Sequence, residues 1–191
     1  MTTIYFVRHA QSDHRHADDR TRPLTEAGLA DRGVVLDCLR DVPVDAFYGS
    51  PYRRSYDTIA PAAAWFGLPI VTDERFRERE AGDSGNGEAM FRRRWADFDF
   101  HEPGGECLRS VQARNVAALF DVLDANEGRT VVIGTHGTAL STILNYFDPA
   151  FGCDDFLRII DWMPYVVEMT FDGRTRLGMR EVAHVYKEFR K

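Results

Sequence analysis

The stretch Ile4-Tyr-Phe-Val-Arg-His-Ala-Gln-Ser12 joins a short apolar run to an arginine and a histidine. Ile4–Val7 has the length and the composition of a buried strand. If the neighbouring strands run parallel to it, Arg8 and His9 lie just beyond its carboxyl end, where open α/β sheets bind their ligands. The segment therefore predicts a strand of a central sheet and a candidate site directly after it.

The rest of the chain supplies the alternation of strands and helices that such a sheet needs. Further strands are predicted at Ala46–Tyr48, Ile70–Val71 and Thr130–Ile133, and a hairpin at Val166–Phe171 and Leu177–Val182. Helices are predicted after the cap Thr25, from Ser50-Pro51 to about Phe66, along the apolar stripe Leu108–Leu123 and over Thr138–Tyr146, with a short helix around Ala89–Phe98. We expect one domain over 1–191, an α/β three-layer sandwich whose mainly parallel central sheet has helices on both faces. The hairpin is expected to close one edge of that sheet.

Basic side chains follow three of the predicted strands. They are Arg8-His9, Arg53-Arg54 and His136-Gly137. Each pair alone fits an ordinary structural or surface role, but three pairs at one rim of a sheet favour a phosphate site. Arginine grips two phosphate oxygens with its planar fork, and helix starts add backbone N–H donors. A neutral imidazole is a competent nucleophile toward phosphorus.

Composition disfavours several other classes of protein and kinds of site. The 191 residues suit one domain, and the formal net charge of −6 disfavours nucleic-acid and membrane-surface partners. The three cysteines, Cys38, Cys107 and Cys153, are far apart and lack a C-x-x-C spacing, which disfavours a disulfide framework or a zinc site. Because the N-terminus does not resemble a signal peptide, a cytoplasmic enzyme is expected.

Six segments together resemble the signatures of the histidine phosphatase superfamily, the phosphoglycerate mutase-like family. In chain order they are Ile4–Ser12, Arg22–Gly28, Ser50–Thr58, Phe76–Gly82, Pro103–Glu106 and Val131–Gly137. Any one of these segments is a weak match, but the ordered set is specific and spans most of the chain. The resemblance implies the phosphoglycerate mutase-like fold and a reaction that passes through a phosphohistidine.

The resemblance also assigns roles to individual residues. It implies that His9 is the phosphorylated nucleophile and that Arg8, Arg54 and His136 hold the phosphoryl oxygens. Gln11 and Ser12 fall where the family lines the phosphate. Gly137 belongs to the family's His-Gly motif at a helix start.

The proton donor is a choice between two glutamates. The family's motif implies Glu78, four residues before Gly82, ahead of Glu80. Both could instead be charges on a solvated, arginine-rich loop.

Two positions depart from the family pattern. Ala10 replaces the usual glycine after the nucleophile, which is tolerable if its φ is negative. Arg15 stands where an asparagine often touches phosphate. Arg15, with His14 and His16 beside it, either contacts a second anionic group of the substrate or lies on a solvated loop.

Phosphatase activity on a small phosphorylated substrate is the favoured function, with no metal and no cofactor. Only Asp83–Glu102 separates the acid from the Pro103–Glu106 motif, whereas mutases of this family carry a longer insertion there. A phosphoglycerate mutase-type transferase and a non-catalytic phosphate-binding module are the alternatives. The run Arg92-Arg-Arg-Trp95 either gates the pocket or forms a solvated helix face over a packed tryptophan. The sequence predicts neither the substrate nor the oligomeric state.

Overall fold

A computed structural model describes residues 1–189 and shows six strands and six α-helices in that range. The strands are β1 (Thr2–Arg8), β2 (Ala46–Gly49), β3 (Ile70–Thr72), β4 (Thr130–Thr135), β5 (Trp162–Asp172) and β6 (Thr175–Tyr186). The helices are α1 (Glu26–Leu39), α2 (Arg53–Phe66), α3 (Glu88–Ala96), α4 (Leu108–Ala125), α5 (Gly137–Phe147) and α6 (Cys153–Ile159). Every predicted strand and helix is present. The sequence analysis missed α6, whose seven residues are too few to show a clear 3.6-residue period.

The strands form one sheet in the order β3-β2-β4-β1-β5-β6. The first four strands in this order run parallel, whereas β5 and β6 pair antiparallel at one edge. Arg8 is in register with Thr135, and Gly49 is in register with Gly134. The carboxyl ends of β1, β2 and β4 therefore meet at the same rim, as predicted.

Helices cover both faces of the sheet, which confirms the three-layer sandwich. Side chains of a strand alternate between its two faces. In β1, Ile4 and Phe6 belong to a core with α4, α5 and α6, whereas Tyr5 and Val7 belong to a core with α1 and α2. Because β1 is buried on both sides, it is the continuous apolar run expected of a central strand.

Local chemistry explains where the first two helices begin and end. Thr25 caps α1 as predicted, since its hydroxyl accepts from the backbone N–H of Gly28 at 3.0 Å. Gly67 ends α2 with a left-handed φ of 65°.

The predicted start of α2 at Ser50-Pro51 was wrong: the helix begins at Arg53 after Tyr52. The Ser50 hydroxyl pairs instead with the backbone N–H of Tyr52 and with His136. None of the helices within residues 1–189 has both the length and the apolar character that crossing a membrane requires.

Candidate active site

Three loops bring the predicted site residues together at the rim of the sheet. The backbone N–H of His9, just after β1, donates to the Thr135 carbonyl of β4 at 3.1 Å. The N–H of Ser50, just after β2, donates to the Gly134 carbonyl at 3.0 Å. The rings of His9 and His136 consequently lie with their centroids 5.3 Å apart.

His9 is buried and has one defined tautomer. Its Nδ1 lies 2.7 Å from the carbonyl oxygen of Ala10, which can only accept, so Nδ1 carries the hydrogen. Nε2 then has the lone pair, and it accepts from Nε of Arg54 at 3.2 Å. Burial, followed by the charges of Arg54 and Arg8, lowers the pKa of His9 well below its usual value. The structure therefore presents a neutral imidazole with a nucleophilic Nε2.

Ala10 keeps the loop after β1 in place without needing glycine. Its backbone N–H donates to the hydroxyl of Thr58 at 3.0 Å, and that hydroxyl donates to the Arg54 carbonyl. Within residues 1–189 no residue other than glycine has a positive φ, so the methyl group of Ala10 is accommodated. Ala10 thus has the negative φ that the replacement of the family's usual glycine requires.

Arg8 is a buried cation with unused donor capacity. Its Nη1 donates to the Ile159 carbonyl at 2.7 Å, whereas its buried Nε has no partner among the described residues. Burial lowers the pKa of Arg8 to about 10, which leaves it charged at neutral pH. Gly137 makes room for it, because a Cβ there would lie 3.1 Å from Cζ of Arg8.

Arg54 is held by a residue that the sequence analysis missed. Its guanidinium group donates to the Asp19 carbonyl and lies 3.2 Å from Oδ1 of the same residue. The guanidinium also stands 5.3 Å from the ring centroid of Tyr52. Asp19 belongs to the polar loop after β1, and no motif in the sequence singles it out.

His136 is buried and is tied to Ser50. Its Nε2 lies 2.7 Å from the Ser50 hydroxyl, and its Nδ1 is buried without a partner in the described chain. Burial, and then the charge of Arg54, lowers the pKa of His136 well below its usual value. The ring is therefore neutral, and Nδ1 is its one polar atom that the described chain leaves unpaired. Sequence reasoning assigned Ser50 only to a helix cap.

Glu78 lies at the N-terminus of α5. Its Oε2 accepts from the backbone N–H of Thr138 at 3.0 Å, and its Oε1 accepts from those of Ala139 and Arg79 at 3.1 and 2.8 Å. Helix N-termini favour anionic groups, which accounts for this position. Glu78 and Glu80 both line the same cavity as His9, but only the Glu78 carboxylate is fixed by backbone donors from α5.

Of the three remaining predicted site residues, Gln11, Ser12 and Arg15, only Ser12 lines the cavity that contains His9. Ser12 is buried, lines the cavity and has a hydroxyl without a partner among residues 1–189. Gln11 is turned away, because its Oε1 accepts from the Thr25 hydroxyl at 3.0 Å. Arg15 is also turned away: its side chain is 90% exposed and pairs with Asp13 at 2.7 Å. That contact lowers the pKa of Asp13 to about 2.

A cavity of about 460 Å³ connects these groups. Its lining includes Arg8, His9, Arg54, Glu78 and Gly137 together with several aromatic side chains. None of the residues in the run Arg92-Arg-Arg-Trp95 lines the cavity. Trp95 packs on Phe156, which does line it, and Arg94 pairs with buried Glu102. Arg92 and Arg93 are exposed, as the helix-face interpretation expects, whereas Arg94 is buried in its pair with Glu102, which neither interpretation predicted.

Comparison with known proteins agrees with this geometry. The model of the histidine phosphatase superfamily (branch 1) matches residues 4–160. The chain is 29% identical over 157 residues to a bifunctional protein of Mycobacterium tuberculosis; the match covers 75% of this chain and 43% of that protein, so the chain spans less than half of it. It is 28% identical over 148 residues to an uncharacterized phosphatase of Bacillus subtilis, PhoE, with 75% of this chain and 76% of that one covered.

Solved structures give the same result for the fold. The structure of Bacillus stearothermophilus YhfR superimposes with a TM-score of 0.75 at 27% identity, covering 99% of this chain and 98% of that one. Phosphoglycerate mutases are also among the relatives in sequence. The ordered motifs, the sheet and the matched family model lead to one conclusion: the chain belongs to the histidine phosphatase superfamily.

Proposed function

We propose that the protein is a phosphatase that hydrolyses a small phosphomonoester through a phosphohistidine on His9. The observation that carries the proposal is the state of His9: Nδ1 is fixed by the Ala10 carbonyl, and neutral Nε2 lies beside Arg54. An imidazole so held is oriented for in-line attack on phosphorus.

In the first step, Nε2 of His9 bonds to phosphorus as the bond from phosphorus to the leaving oxygen breaks. Arg8, Arg54 and His136 hold the three non-bridging oxygens, where the charge of the transition state is stabilised. Glu78 gives a proton to the leaving oxygen; it carries that proton once the phosphate dianion of the substrate lies beside it, because two adjacent anions favour protonation of one of them. The hydrogen bond from Nε of Arg54 then passes from His9 to the phosphoryl group.

In the second step, water attacks the phosphohistidine. The new bond joins the water oxygen to phosphorus, the bond from phosphorus to Nε2 breaks, and Glu78 takes one proton of the water. The products are an alcohol and inorganic phosphate. Arg8 and Arg54 already supply positive charge to the phosphoryl group, so we propose that the reaction needs no metal ion.

Two alternatives share the same pocket. A mutase must exclude water while its phosphorylated intermediate changes orientation in the site. In mutases of this family a longer insertion covers the site, whereas here only Asp83–Glu102 lies between the acid and Pro103–Glu106. That short segment favours hydrolysis. A non-catalytic phosphate-binding module is disfavoured because His9, Arg54, His136 and Glu78 all occupy one site. The three free cysteines agree with the proposal of a cytoplasmic location.

The test is hydrolysis of p-nitrophenyl phosphate by the wild type and His9→Ala in the presence of a chelator. We expect chelator-resistant turnover that is lost in His9→Ala and retained in His184→Ala, a histidine on β6 outside the cavity. Quenching the wild type in alkali, in which the P–N bond of a phosphohistidine is stable, should trap phosphate on His9. Equal activity in wild type and His9→Ala would remove His9 as the nucleophile. Turnover of a phosphoglycerate to its isomer, with no release of phosphate, would favour the mutase.

A further inference from the structure

The cavity has a second wall that the phosphoryl chemistry does not use. It is formed by five apolar side chains from α3, α6 and the residue after it, β5 and the C-terminal residues. This apolar wall consists of Phe91, Phe156, Ile160, Met163 and Phe189. The ring centroids of Phe91 and Phe156 lie 5.0 Å apart, and those of Phe91 and Phe189 lie 6.3 Å apart. The three phenylalanines of the wall therefore pack against one another.

The other arginines that line the cavity are already engaged by protein acceptors. Arg22 pairs with Asp19 at 2.9 Å. Arg79 pairs with Glu102 at 3.0 Å and donates to the Glu106 carbonyl. Arg94, which does not itself line the cavity, shares the carboxylate of Glu102. The arginines that line the cavity outside the phosphoryl site are thus directed at protein acceptors.

The remaining polar groups of the lining also fail to attract a second anion. Asp19 and Glu80 place carboxylates in the lining, which repel negative charge. The ring centroid of His14 lies 6.0 Å from that of Phe189, and partial desolvation, followed by the charge of Arg22, lowers the pKa of His14. Arg15, the residue that a second anion would have needed, pairs with Asp13 outside this cavity.

We infer that the preferred substrate is a phosphomonoester whose alcohol is uncharged and apolar, with an aromatic or branched group that packs on the apolar wall. The inference rests on the proposed phosphatase function. Ligand sites typically combine an apolar lining with a few oriented polar groups. This cavity of about 460 Å³ contains both, because the apolar wall and the arginines of the phosphoryl site line it together. Substrates with a carboxylate next to the phosphate ester should be poor, because the lining arginines outside the phosphoryl site, Arg22 and Arg79, are already paired with protein carboxylates.

The experiment compares three alkyl phosphates of similar leaving-group chemistry: 2-phenylethyl phosphate, glycerol phosphate and 3-phosphoglycerate. We expect kcat/KM to be highest for 2-phenylethyl phosphate, roughly 10-fold or more above glycerol phosphate, the scale typical of apolar pockets. 3-Phosphoglycerate should be the slowest. An equal or higher kcat/KM for 3-phosphoglycerate would overturn the inference while leaving the phosphatase function standing.

Variants of the apolar wall give a second readout. Phe189→Ala and Ile160→Thr change partly exposed positions, so folding should survive. Both should lower kcat/KM for 2-phenylethyl phosphate several-fold and leave glycerol phosphate nearly unchanged. Leu177→Ala, which removes an exposed apolar side chain of β6 outside the cavity, is the matched control. An equal loss for both substrates would contradict a role in selecting the alcohol.

Binding separates this inference from the proposed reaction. Calorimetric titration of wild type and His9→Ala with 3-phenylpropylphosphonate and 3-phosphonopropionate needs no turnover. We expect the phenyl compound to bind roughly 10-fold more tightly, on the same scale as above. If no phosphate ester is hydrolysed but this preference holds, the phosphatase proposal fails and the ligand class stands. Tighter binding of the carboxylate would reject the ligand class whatever the activity.

Discussion

Nε of Arg54 donates a hydrogen bond to Nε2 of His9 across 3.2 Å. The contact shows that Arg54, in the first turn of α2, is directed at the nitrogen that would attack phosphorus. It also requires Nε2 to be unprotonated, in agreement with the hydrogen bond from Nδ1 to Ala10. The binding group for the phosphoryl oxygens and the nucleophile are thereby positioned by each other before any substrate enters.

Neutral, buried histidines predict a stability that falls in mild acid. Burial lowers the pKa of both His9 and His136 well below 6.5, while their unfolded-state pKa stays near that value. Below about pH 6.5 the unfolded chain therefore binds protons that the native protein does not, so the free energy of unfolding decreases as pH falls. Each histidine contributes a slope of up to about 1.4 kcal/mol per pH unit.

Urea unfolding of the wild type between pH 7.5 and 5.5 measures this slope. His136→Gln should reduce it, whereas His184→Gln should not. NMR titration of the His9 imidazole gives the direct readout. A midpoint near 6.5 in the folded protein would contradict the buried, neutral state.

Gly137→Ala tests the packing of Arg8. The added Cβ would lie 3.1 to 3.2 Å from atoms of the guanidinium group, which must then shift. Misplacement of a group that holds the substrate by about 1 Å can cost about 10²-fold, so we expect a fall in kcat/KM of that order.

Gly33→Ala in α1 is the control, because nothing lies within 4 Å of its Cβ position. It should keep full activity and unfold at a slightly higher temperature, as expected of alanine in a helix. Unchanged kinetics in Gly137→Ala would show that the position of Arg8 is not critical.

The two candidate acids can be separated by matched substitutions. Glu78→Gln should lower kcat by about 10² to 10⁴-fold for an alkyl phosphate, the range for general acid catalysis. The loss should be smaller for p-nitrophenyl phosphate, whose leaving group needs little protonation. Glu80→Gln should have little effect on either substrate. If Glu80→Gln shows the larger and leaving-group-dependent loss, the assignment of Glu78 is wrong.

Ser50→Ala tests the orientation of His136. It leaves the buried Nε2 without its partner at 2.7 Å. An unsatisfied buried polar group costs about 1–3 kcal/mol, so activity should fall roughly 5- to 150-fold if this cost falls on the transition state. Ser55→Ala is the control, since its buried hydroxyl on α2 has no partner among the described residues. Equal kinetics in both variants would argue that Ser50 does not orient His136.

Glu102→Gln should destabilise the fold more than it affects the chemistry. Burial raises the pKa of Glu102, but the hydrogen bond from Arg94 and the charge of Arg79 outweigh it and hold the pKa at about 2. Removing the charge leaves two buried guanidinium groups without a carboxylate, a change that typically costs about 3–5 kcal/mol. Glu88→Gln breaks an exposed pair with Arg92 and should cost less than about 1 kcal/mol. Urea unfolding of both variants is the measurement, and similar losses would contradict the role of burial.

The sequence by itself determined the layout of the sheet and most of the positions at its rim. Apolar runs, the N-cap at Thr25 and the helix end at Gly67 depend on interactions within a few residues, so they can be predicted from the sequence. The same holds for Arg8-His9 and His136, which follow directly from where strands end. Even the pairing of Arg15 with Asp13, two residues away, was a local signal that could have been used.

Only the tertiary structure decided which side chains complete the site. Ser50 and His136 are 86 residues apart, and Asp19 and Arg54 are 35 apart, so no local pattern links either pair. The apolar wall likewise joins residues from Phe91 to Phe189. Such contacts exist because the whole sheet and its helices bury their apolar faces together, and that long-range packing cannot be read from the spacing of residues along the chain.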